Sequence, residues 1–475
     1  MKRFLLISSF AALALLWGCG RKDNPEPIPD SIPKAPTAIT LSVSSLSAKA
    51  EGESFEITVK SPFVPQVENP SWVMVTAANQ SVDKDYNVKM SVTVAKNDTY
   101  EVREATLTFK ATGATSATLK VMQAAAEKPE DPETDITKTL VTANPLAKTQ
   151  ALYDFLYNQY GKSTVSSVMA NVNWNNDIAE AVNKLTGKFP AVNCYDFIHI
   201  YVPDGNGWIN YKDLSPVTGW YDAGGIVSLM WHFNVPVNKD TTPGKDGSGV
   251  TCSPDKTTFK ASNALKEGTW EKKWFYGQMD KVITVILLLQ EKGIPAIWRP
   301  FHEAAGNATL KQSASWATAW FWWGYEGADT FKNLWIAMFE YFKQKGVRNL
   351  IWVWTTQNFN GNASQYNQDK DWFPGDAYVD IVARDLYGYD ASQNAQEFTE
   401  IQKSYPTHMV ALGECGWGDE GAKAFSEVSA MWNLGAKWSW FMPWYAGKTS
   451  AMVADSWWKD AFKQNFVITR DKVSY

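Results

Sequence analysis

Two glutamates lie at or near the ends of apolar, strand-like runs: Glu303 closes Trp298-Arg299-Pro300-Phe301-His302-Glu303, and Glu414 lies in Ala411-Leu412-Gly413-Glu414-Cys415-Gly416. A pair of carboxyls displayed in this way suits acetal cleavage. One protonates the leaving oxygen while the other attacks or stabilises the oxocarbenium-like carbon from the opposite side. Glutamate fills either role when its surroundings set the two pKa values apart. Taken singly, Glu303 reads equally as a salt-bridged surface residue and Glu414 as the partner of a buried arginine. The pairing is what points to glycoside hydrolysis.

Residues so far apart in sequence need a scaffold that returns strand ends to one place. From about residue 137 onward, helical stripes alternate with β-rich runs. Met279, Val282, Ile283, Ile286 and Leu289 recur at helical spacing, Gly293 and Pro295 punctuate, and Ala296-Ile297-Trp298 follows. Phe331, Leu334, Trp335, Met338, Phe339 and Phe342 repeat the grammar before Gly346 and the buried-strand run Leu350 to Trp354. The other strand candidates are Val168 to Val172, Ala191 to Tyr195, Ile226 to Trp231, Val379 to Asp385, Met409 to Leu412 and Lys437 to Phe441. Eight strand–helix units predict an α/β fold, a (β/α)8 TIM barrel, with its chemistry on the loops at the strand C-terminal ends. Glu303 would follow the fourth strand and Glu414 end the seventh.

The N-terminal part has a different texture. Met1-Lys2-Arg3, an apolar run from Phe4 to Trp17 and then Cys19 read as an export signal over residues 1–19. Leu16 and Gly18 fit a lipoprotein box with Cys19 as the acylated residue, whereas Trp17 departs from the usual small residue; an ordinary cleaved signal is the alternative. Residues 20–37, with Pro25, Pro27, Pro29, Pro33 and Pro36, read as an extended tether. Residues 38–124 carry short alternating runs such as Phe55 to Val59 and Val88 to Val94, which predict a small all-β, immunoglobulin-like sandwich. Residues 125–136 read as an acidic, proline-containing linker, and 137–475 as the barrel. Past Cys19 only Cys194, Cys252 and Cys415 remain, which gives no disulfide framework.

Two stretches resemble known families. Asn69 to Val73, Arg103 to Phe109 and Leu119 to Gln123 resemble the BACON domain of bacterial surface enzymes, for which carbohydrate or mucin binding has been suggested; a spacer is the plainer reading. In that pattern Trp72 is a core residue rather than a ligand platform. Residues 135 to 475 resemble glycoside hydrolase family 26, mostly β-mannanases, through Pro190 to Phe197, Trp231-His232, Arg299 to Glu303, Trp320-Phe321-Trp322-Trp323-Gly324, Asp385-Leu386-Tyr387 and Gly413-Glu414. The resemblance implies that Glu303 is the acid/base and Glu414 the nucleophile of a retaining double displacement. It further implies that His232 and His302 line the sugar site, that Trp320 stacks near the scissile bond and that Tyr387 orients Glu414. Trp444 is the candidate platform for the −1 sugar, with Trp440 competing, and Trp322 and Trp323 brace their loop. Arg299 would act as a buried cation beside the nucleophile or balance charge in the barrel. The chain departs from the family in the stretch Ala304 to Ala319, which carries Trp316. A second long loop, Asn234 to Trp274, is expected to wall the cleft.

The expected substrate is therefore a β-mannan, cut internally at β-1,4 linkages. A mannobiose-releasing exo-mannanase, a related β-glucanase or β-1,3-xylanase, and a non-catalytic surface glycan-binding protein are the alternatives. Net charge of −5 offers no basic surface for nucleic acid. No His/Glu spacing fits a zincin, so neither metal nor other cofactor is expected. The partners expected are the polysaccharide and, through the lipid on Cys19, a bacterial outer membrane, for an exported monomer on the cell surface or the periplasmic face.

Overall fold

The computed structural model describes residues 34–97, 99, 101–126, 135–171, 173–307, 318–357, 369–418 and 425–475. Cys19, the tether up to residue 33 and Trp316 lie outside the described residues. Two units divide the chain, residues 1–132 and 133–475.

The first unit is an all-β sandwich. One sheet orders Thr40–Leu41, Glu53–Lys60, Asn87–Val94 and Val73–Ala77; the other orders Ser45–Ala48, Ala117–Gln123, Arg103–Lys110 and Gln66–Glu68. Strand alternation decides which face is covered, because successive side chains point to opposite sides. Val88, Met90, Val92 and Val94 point inward from one sheet, and Leu107, Phe109, Leu119 and Val121 from the other, all buried. Trp72 packs against this core, and the Arg103 guanidinium lies 4.5 Å over its ring.

The second unit is the barrel. Its strands are β1 (Thr164–Met169), β2 (Val192–Asp196), β3 (Ile226–Trp231), β4 (Ala296–Pro300), β5 (Leu350–Thr356), β6 (Ile381–Tyr387), β7 (Met409–Gly416) and β8 (Trp440–Pro443). Each pairs in parallel with the next, and β8 pairs with β1 to close the ring. A short strand, Val467–Ile468, adds to β1 from outside.

The helical stripes read from the sequence form the outer packing. Helix Trp270–Glu291 is capped by Thr269, whose side chain accepts the Lys272 amide. It buries Met279, Val282, Ile283, Ile286 and Leu289, each contributing roughly 1.5–3 kcal/mol. Helix Ala328–Gln344 does the same with Phe331 through Phe342. Gly293 and Gly346 end the two helices at φ +69° and +79°, the left-handed turn for which glycine is suited.

Two strands sit elsewhere than the hydrophobic runs suggest. β1 starts at Thr164 rather than Val168, because Thr164, Ser166 and Ser167 are polar yet buried; Ser166 Oγ donates to the Ile468 carbonyl over 2.6 Å. β8 runs Trp440–Pro443 rather than from Lys437. The three cysteines of the barrel are free thiols.

Candidate active site

The turn after β4 has a distorted backbone. Phe301 and Glu303 both adopt left-handed φ, +46° and +51°, which costs of order 1–3 kcal/mol for such residues. Packing holds them there. The Phe301 ring stacks 6.1 Å from Phe233 and 6.2 Å from Phe275, and Trp323 Nε1 donates 3.0 Å to the His302 carbonyl. Gly324 lets that segment close in, since a Cβ there would lie 1.7 Å from the Ala304 carbonyl oxygen. The outcome is that Glu303 is turned in over the strand ends, half-buried, with Oε2 accepting from Trp320 Nε1 at 3.0 Å.

Glu414 arrives from β7 by a different device. Arg384 pairs with Leu412 across β6 and β7, but Asp385 pairs with Glu414, so Gly413 is bulged out of register. One carboxylate oxygen from each of Glu303, Asp385 and Glu414 lies within 4.8 Å of the others.

Arg299 on β4 answers this concentration of charge. Its Nη1 donates to Asp385 Oδ2 at 2.9 Å and to Thr355 Oγ1 at 3.1 Å, and its Nη2 donates to Glu414 Oε1. The other oxygen of Glu414 accepts from the Tyr387 hydroxyl at 2.7 Å. Behind Asp385 a second buried pair, Arg384 with Glu397 at 3.2 Å, donates 2.9 Å to the Asp385 carbonyl. Three carboxyls at this spacing are also a cation's ligand set. Here the guanidinium reaches two of them, so the site carries its own fixed positive charge.

Burial first, then the charges on Asp385 and Glu414, raise the Glu303 carboxyl well above the ordinary range; Arg299 and Arg384 oppose that only in part. Asp385 is likewise pushed up by burial and Glu414 against the pull of Arg299. Glu303 is thus a carboxyl that retains its proton to unusually high pH beside a carboxylate held by an arginine and a tyrosine.

The histidines occupy the β3–β4 side. Both Asp196 oxygens serve His232, one accepting its backbone amide at 3.0 Å and one meeting Nδ1 at 2.5 Å. Burial lowers the His232 pKa, but Asp196 outweighs it and the imidazole ends above its usual value. His302 lies 4.5 Å from the His232 ring; burial, His232 and Arg299 hold it well below its usual value, as a neutral imidazole. Trp444 stands 5.8 Å from His232, whereas Trp440 is buried inside the barrel. Trp322 and Trp323 are buried, and Trp322 Nε1 ties the turn to the Phe233 carbonyl at 2.6 Å. The loop after β3 meets the same segment, Cys252 O accepting from the Trp322 amide.

The structure therefore brings together Glu303, Glu414, Arg299, Tyr387, Trp320, His232, His302 and Trp444. It adds Asp385, Asp196, Thr355, Arg384 and Glu397, which sequence reasoning gave no role. The available signal was charge inside apolar strands: Arg299, Arg384, Asp385 and Asp196 each interrupt a buried run, and such charges are almost never buried without partners.

Comparison with known proteins agrees in outline. The model of glycosyl hydrolase family 26 matches residues 141–472, and that of BACON, described as a putative N-terminal binding domain, matches residues 63–124. A mannan endo-1,4-β-mannosidase of Thermothelomyces thermophilus is 27% identical over 352 residues, 72% of this chain and 64% of the relative. Mannan endo-1,4-β-mannosidase A of Piromyces sp is 29% identical over 70% of this chain and 49% of its own. The chain thus spans about half to two-thirds of the length of these relatives. Among solved structures, the family 26 domain of an endo-β-mannanase/endo-β-glucanase from Prevotella bryantii is 54% identical, with a TM-score of 0.68 over 71% of this chain and 100% of that one. The β-mannanase from a symbiotic protist of the termite Reticulitermes speratus, complexed with a gluco-manno-oligosaccharide, is 29% identical, with a TM-score of 0.56 over 72% and 99%.

Proposed function

The chain belongs to glycosyl hydrolase family 26, and on that footing we propose that it hydrolyses internal β-1,4-mannosidic linkages in mannan, galactomannan or glucomannan with retention of configuration. The observation that carries this is the approach of the Glu303 and Glu414 carboxylate oxygens to within 4.8 Å. Retaining pairs stand about 5–5.5 Å apart, and inverting pairs need roughly 6.5–9.5 Å to admit a water. Curated relatives bearing the name mannan endo-1,4-β-mannosidase support the choice of substrate.

Glu414 attacks the anomeric carbon while Glu303, still protonated, gives its proton to the departing oxygen, leaving a glycosyl ester on Glu414. Glu303, now a carboxylate, then removes a proton from water as that water attacks the anomeric carbon, breaks its bond to the Glu414 oxygen and releases the sugar with Glu414 as a carboxylate. Arg299 and Tyr387 hold the two Glu414 oxygens, which fixes the line of attack. The Trp320 indole fixes Glu303 and presents a face to the sugar beside the scissile bond, Trp444 is the platform for the sugar under attack, and His232 and His302 meet its hydroxyls.

Incubation with a panel of mannans, mixed-linkage β-glucan and β-1,3-xylan, followed by reducing-end assay, tests the substrate. A ladder of oligosaccharides from galactomannan is expected. Disaccharide alone would identify the mannobiose-releasing mode, and the absence of hydrolysis with binding retained would identify a glycan-binding protein. Glu303→Gln and Glu414→Gln should each abolish hydrolysis and keep binding.

The Met1 to Cys19 segment supports a further part of the proposal: export, acylation at Cys19 and attachment of a monomer to the outer membrane, with the sandwich as spacer or glycan binder. Metabolic labelling with palmitate should mark the parent chain and not Cys19→Ala.

A further inference from the structure

The layer between β6 and the helix that follows it, Ala391–Ser404, carries an ion pair that the reaction scheme leaves without a task. Val382 and Leu386 from the strand and Phe398 and Ile401 from the helix are buried in that layer. Among them lie Arg384, only 5% exposed, and Glu397, fully buried, with Arg384 Nε donating to Glu397 Oε2 at 3.2 Å. Strand alternation turns Arg384 away from the sugar site. Ile381 and Ala383 face the barrel interior, on the same side of β6 as Asp385 and Tyr387, whereas Val382, Arg384 and Leu386 face the helices.

An ion pair is a costly way to join two buried layers. Both charges lose their hydration, and apolar side chains of similar volume are often neutral or stabilising in their place. What apolar side chains could not do is hold the peptide that follows Arg384. Arg384 Nη1 donates to the Asp385 carbonyl at 2.9 Å, at the point where the register of β6 against β7 slips from Arg384 opposite Leu412 to Asp385 opposite Glu414. A bulge disrupts the ladder locally, so a side-chain donor at its edge fixes a peptide that the ladder alone holds less firmly.

That peptide leads to the nucleophile. The Asp385 carboxylate, on the opposite face of the strand from Arg384, accepts from Arg299 Nη1 through both oxygens, at 3.2 and 2.9 Å, and Arg299 Nη2 donates to Glu414. Glu397 anchors the outer end, because its helix starts from a capping box in which Asp390 Oδ1 accepts the Gln393 amide at 2.8 Å and Gln393 Oε1 accepts the Asp390 amide at 2.9 Å. One line of contacts thus runs from a capped helix through Glu397, Arg384, Asp385 and Arg299 to the Glu414 carboxylate.

We propose that Arg384 and Glu397 are positioning residues for the attack of Glu414: the buried pair sets the Asp385 peptide and, through Asp385 and Arg299, the line along which the nucleophile approaches. The proposal rests on the mannanase reading and deepens it by giving a task to two residues that face away from the substrate. A reacting group misplaced by about 1 Å loses about 100-fold in rate, whereas the sugars are held by other side chains. Loss of the pair therefore slows bond cleavage and leaves substrate binding intact.

Thermal unfolding and steady-state kinetics of the double variant Arg384→Met with Glu397→Leu test this, since it replaces the pair with apolar side chains and leaves neither charge alone. It should unfold at or above the parent temperature. On galactomannan, kcat and kcat/KM should fall together by about tenfold to 100-fold, with KM changed less than about twofold. The same loss in kcat/KM is expected on dinitrophenyl β-mannobioside, whose leaving group departs without help from an acid, because the defect lies in the nucleophile and not in Glu303. Arg384→Lys keeps the ion pair but has no second planar arm for the Asp385 carbonyl, so it should fold as the parent does and still lose about tenfold in kcat. A parent-like kcat in either folded variant overturns the proposal, as does a rise in KM that accounts for the loss, or full recovery on the dinitrophenyl substrate. If the parent chain itself fails on every mannan, the mannanase reading falls and the positioning role with it; if the parent cleaves mannan and both variants match it, only the positioning role falls.

Discussion

A Cβ placed on Gly413 would lie 2.7 Å from Oδ1 of Asp385, and 3.6 Å from Cδ of Arg299. The bulge that swings Glu414 into the site is thus also the gap into which the Arg299–Asp385 pair folds. Glycine here is a matter of space.

Gly413→Ala should therefore push Asp385 and Arg299 off their contacts and disturb Glu414 through Arg299. We expect a stability loss of about 1–3 kcal/mol, the usual cost of overpacking, and a fall in kcat of about 100-fold from misplaced groups. Thermal unfolding together with mannan turnover measures both, and an alanine variant with parent activity would refute the packing argument.

The raised carboxyl of Glu303 links activity to stability. Its folded pKa lies above the unfolded value, so its contribution to stability is full below the unfolded pKa, about 4.3, and is lost as pH rises through the folded value. Glu303→Gln cannot ionise and escapes that loss. Denaturant unfolding at pH 4 and pH 8 should show the glutamine variant gaining on the parent at the higher pH, while its turnover of mannan drops about 10²–10⁴-fold. Glu414→Gln removes one of the charges that raise Glu303, so the Glu303 titration, followed by carboxyl NMR, should move to lower pH.

Much of this arrangement is legible in the sequence, and the rest is hidden for definite reasons. Apolar runs punctuated by Gly293 and Gly346 mark strands and helices, because burial on both faces leaves little choice of residue in a parallel barrel. Glu303 and Glu414 stand out as acids where such runs stop. Asp385 and Arg299 carry the same signal, but their partnership spans 86 residues of chain and has no local periodicity. The left-handed turn at Phe301 and Glu303 is invisible because neither is glycine; tertiary packing of the Phe301 ring overrides the local preference. β1 begins in a polar stretch whose hydroxyls bond inside the barrel, a pairing that only the neighbouring strand reveals.

His232 gives a second linkage of the same sign, reached through an attractive partner rather than through burial. Asp196 lifts the imidazole above its ordinary pKa although burial works against it, so this pair adds stability below the unfolded His pKa, about 6.5, and loses it as pH rises through the folded value. Asp196→Asn removes the larger part of the lift and leaves burial and Arg299 opposed by Glu414. Imidazole nitrogen NMR should show His232 titrating at lower pH in the asparagine variant, and the extra stability of the parent at pH 5 relative to pH 8 should shrink. An unchanged His232 titration would mean that another group supports the charge.

Arg299 carries the last prediction, because it is buried and shared. Removing it leaves Asp385 and Glu414 without the cation that bridges them, and breaking a buried pair from one side costs about 3–5 kcal/mol. Arg299→Met should lose that much in denaturant unfolding and nearly all turnover. Arg299→Lys retains the charge, but a single ammonium lacks the planar fork that spans Thr355, Asp385 and Glu414; it should recover part of the stability and little of the turnover. Neutralising the partner separates the two effects. If the cost in Arg299→Met is an uncompensated buried carboxylate, adding Asp385→Asn should restore stability relative to Arg299→Met alone, with a coupling of about 0.5–3 kcal/mol in the double-mutant cycle, yet leave turnover low because Glu414 still lacks its Nη2 donor. Additive losses would instead mean that Arg299 holds the barrel by packing, and that Glu414 is oriented by Tyr387 without it.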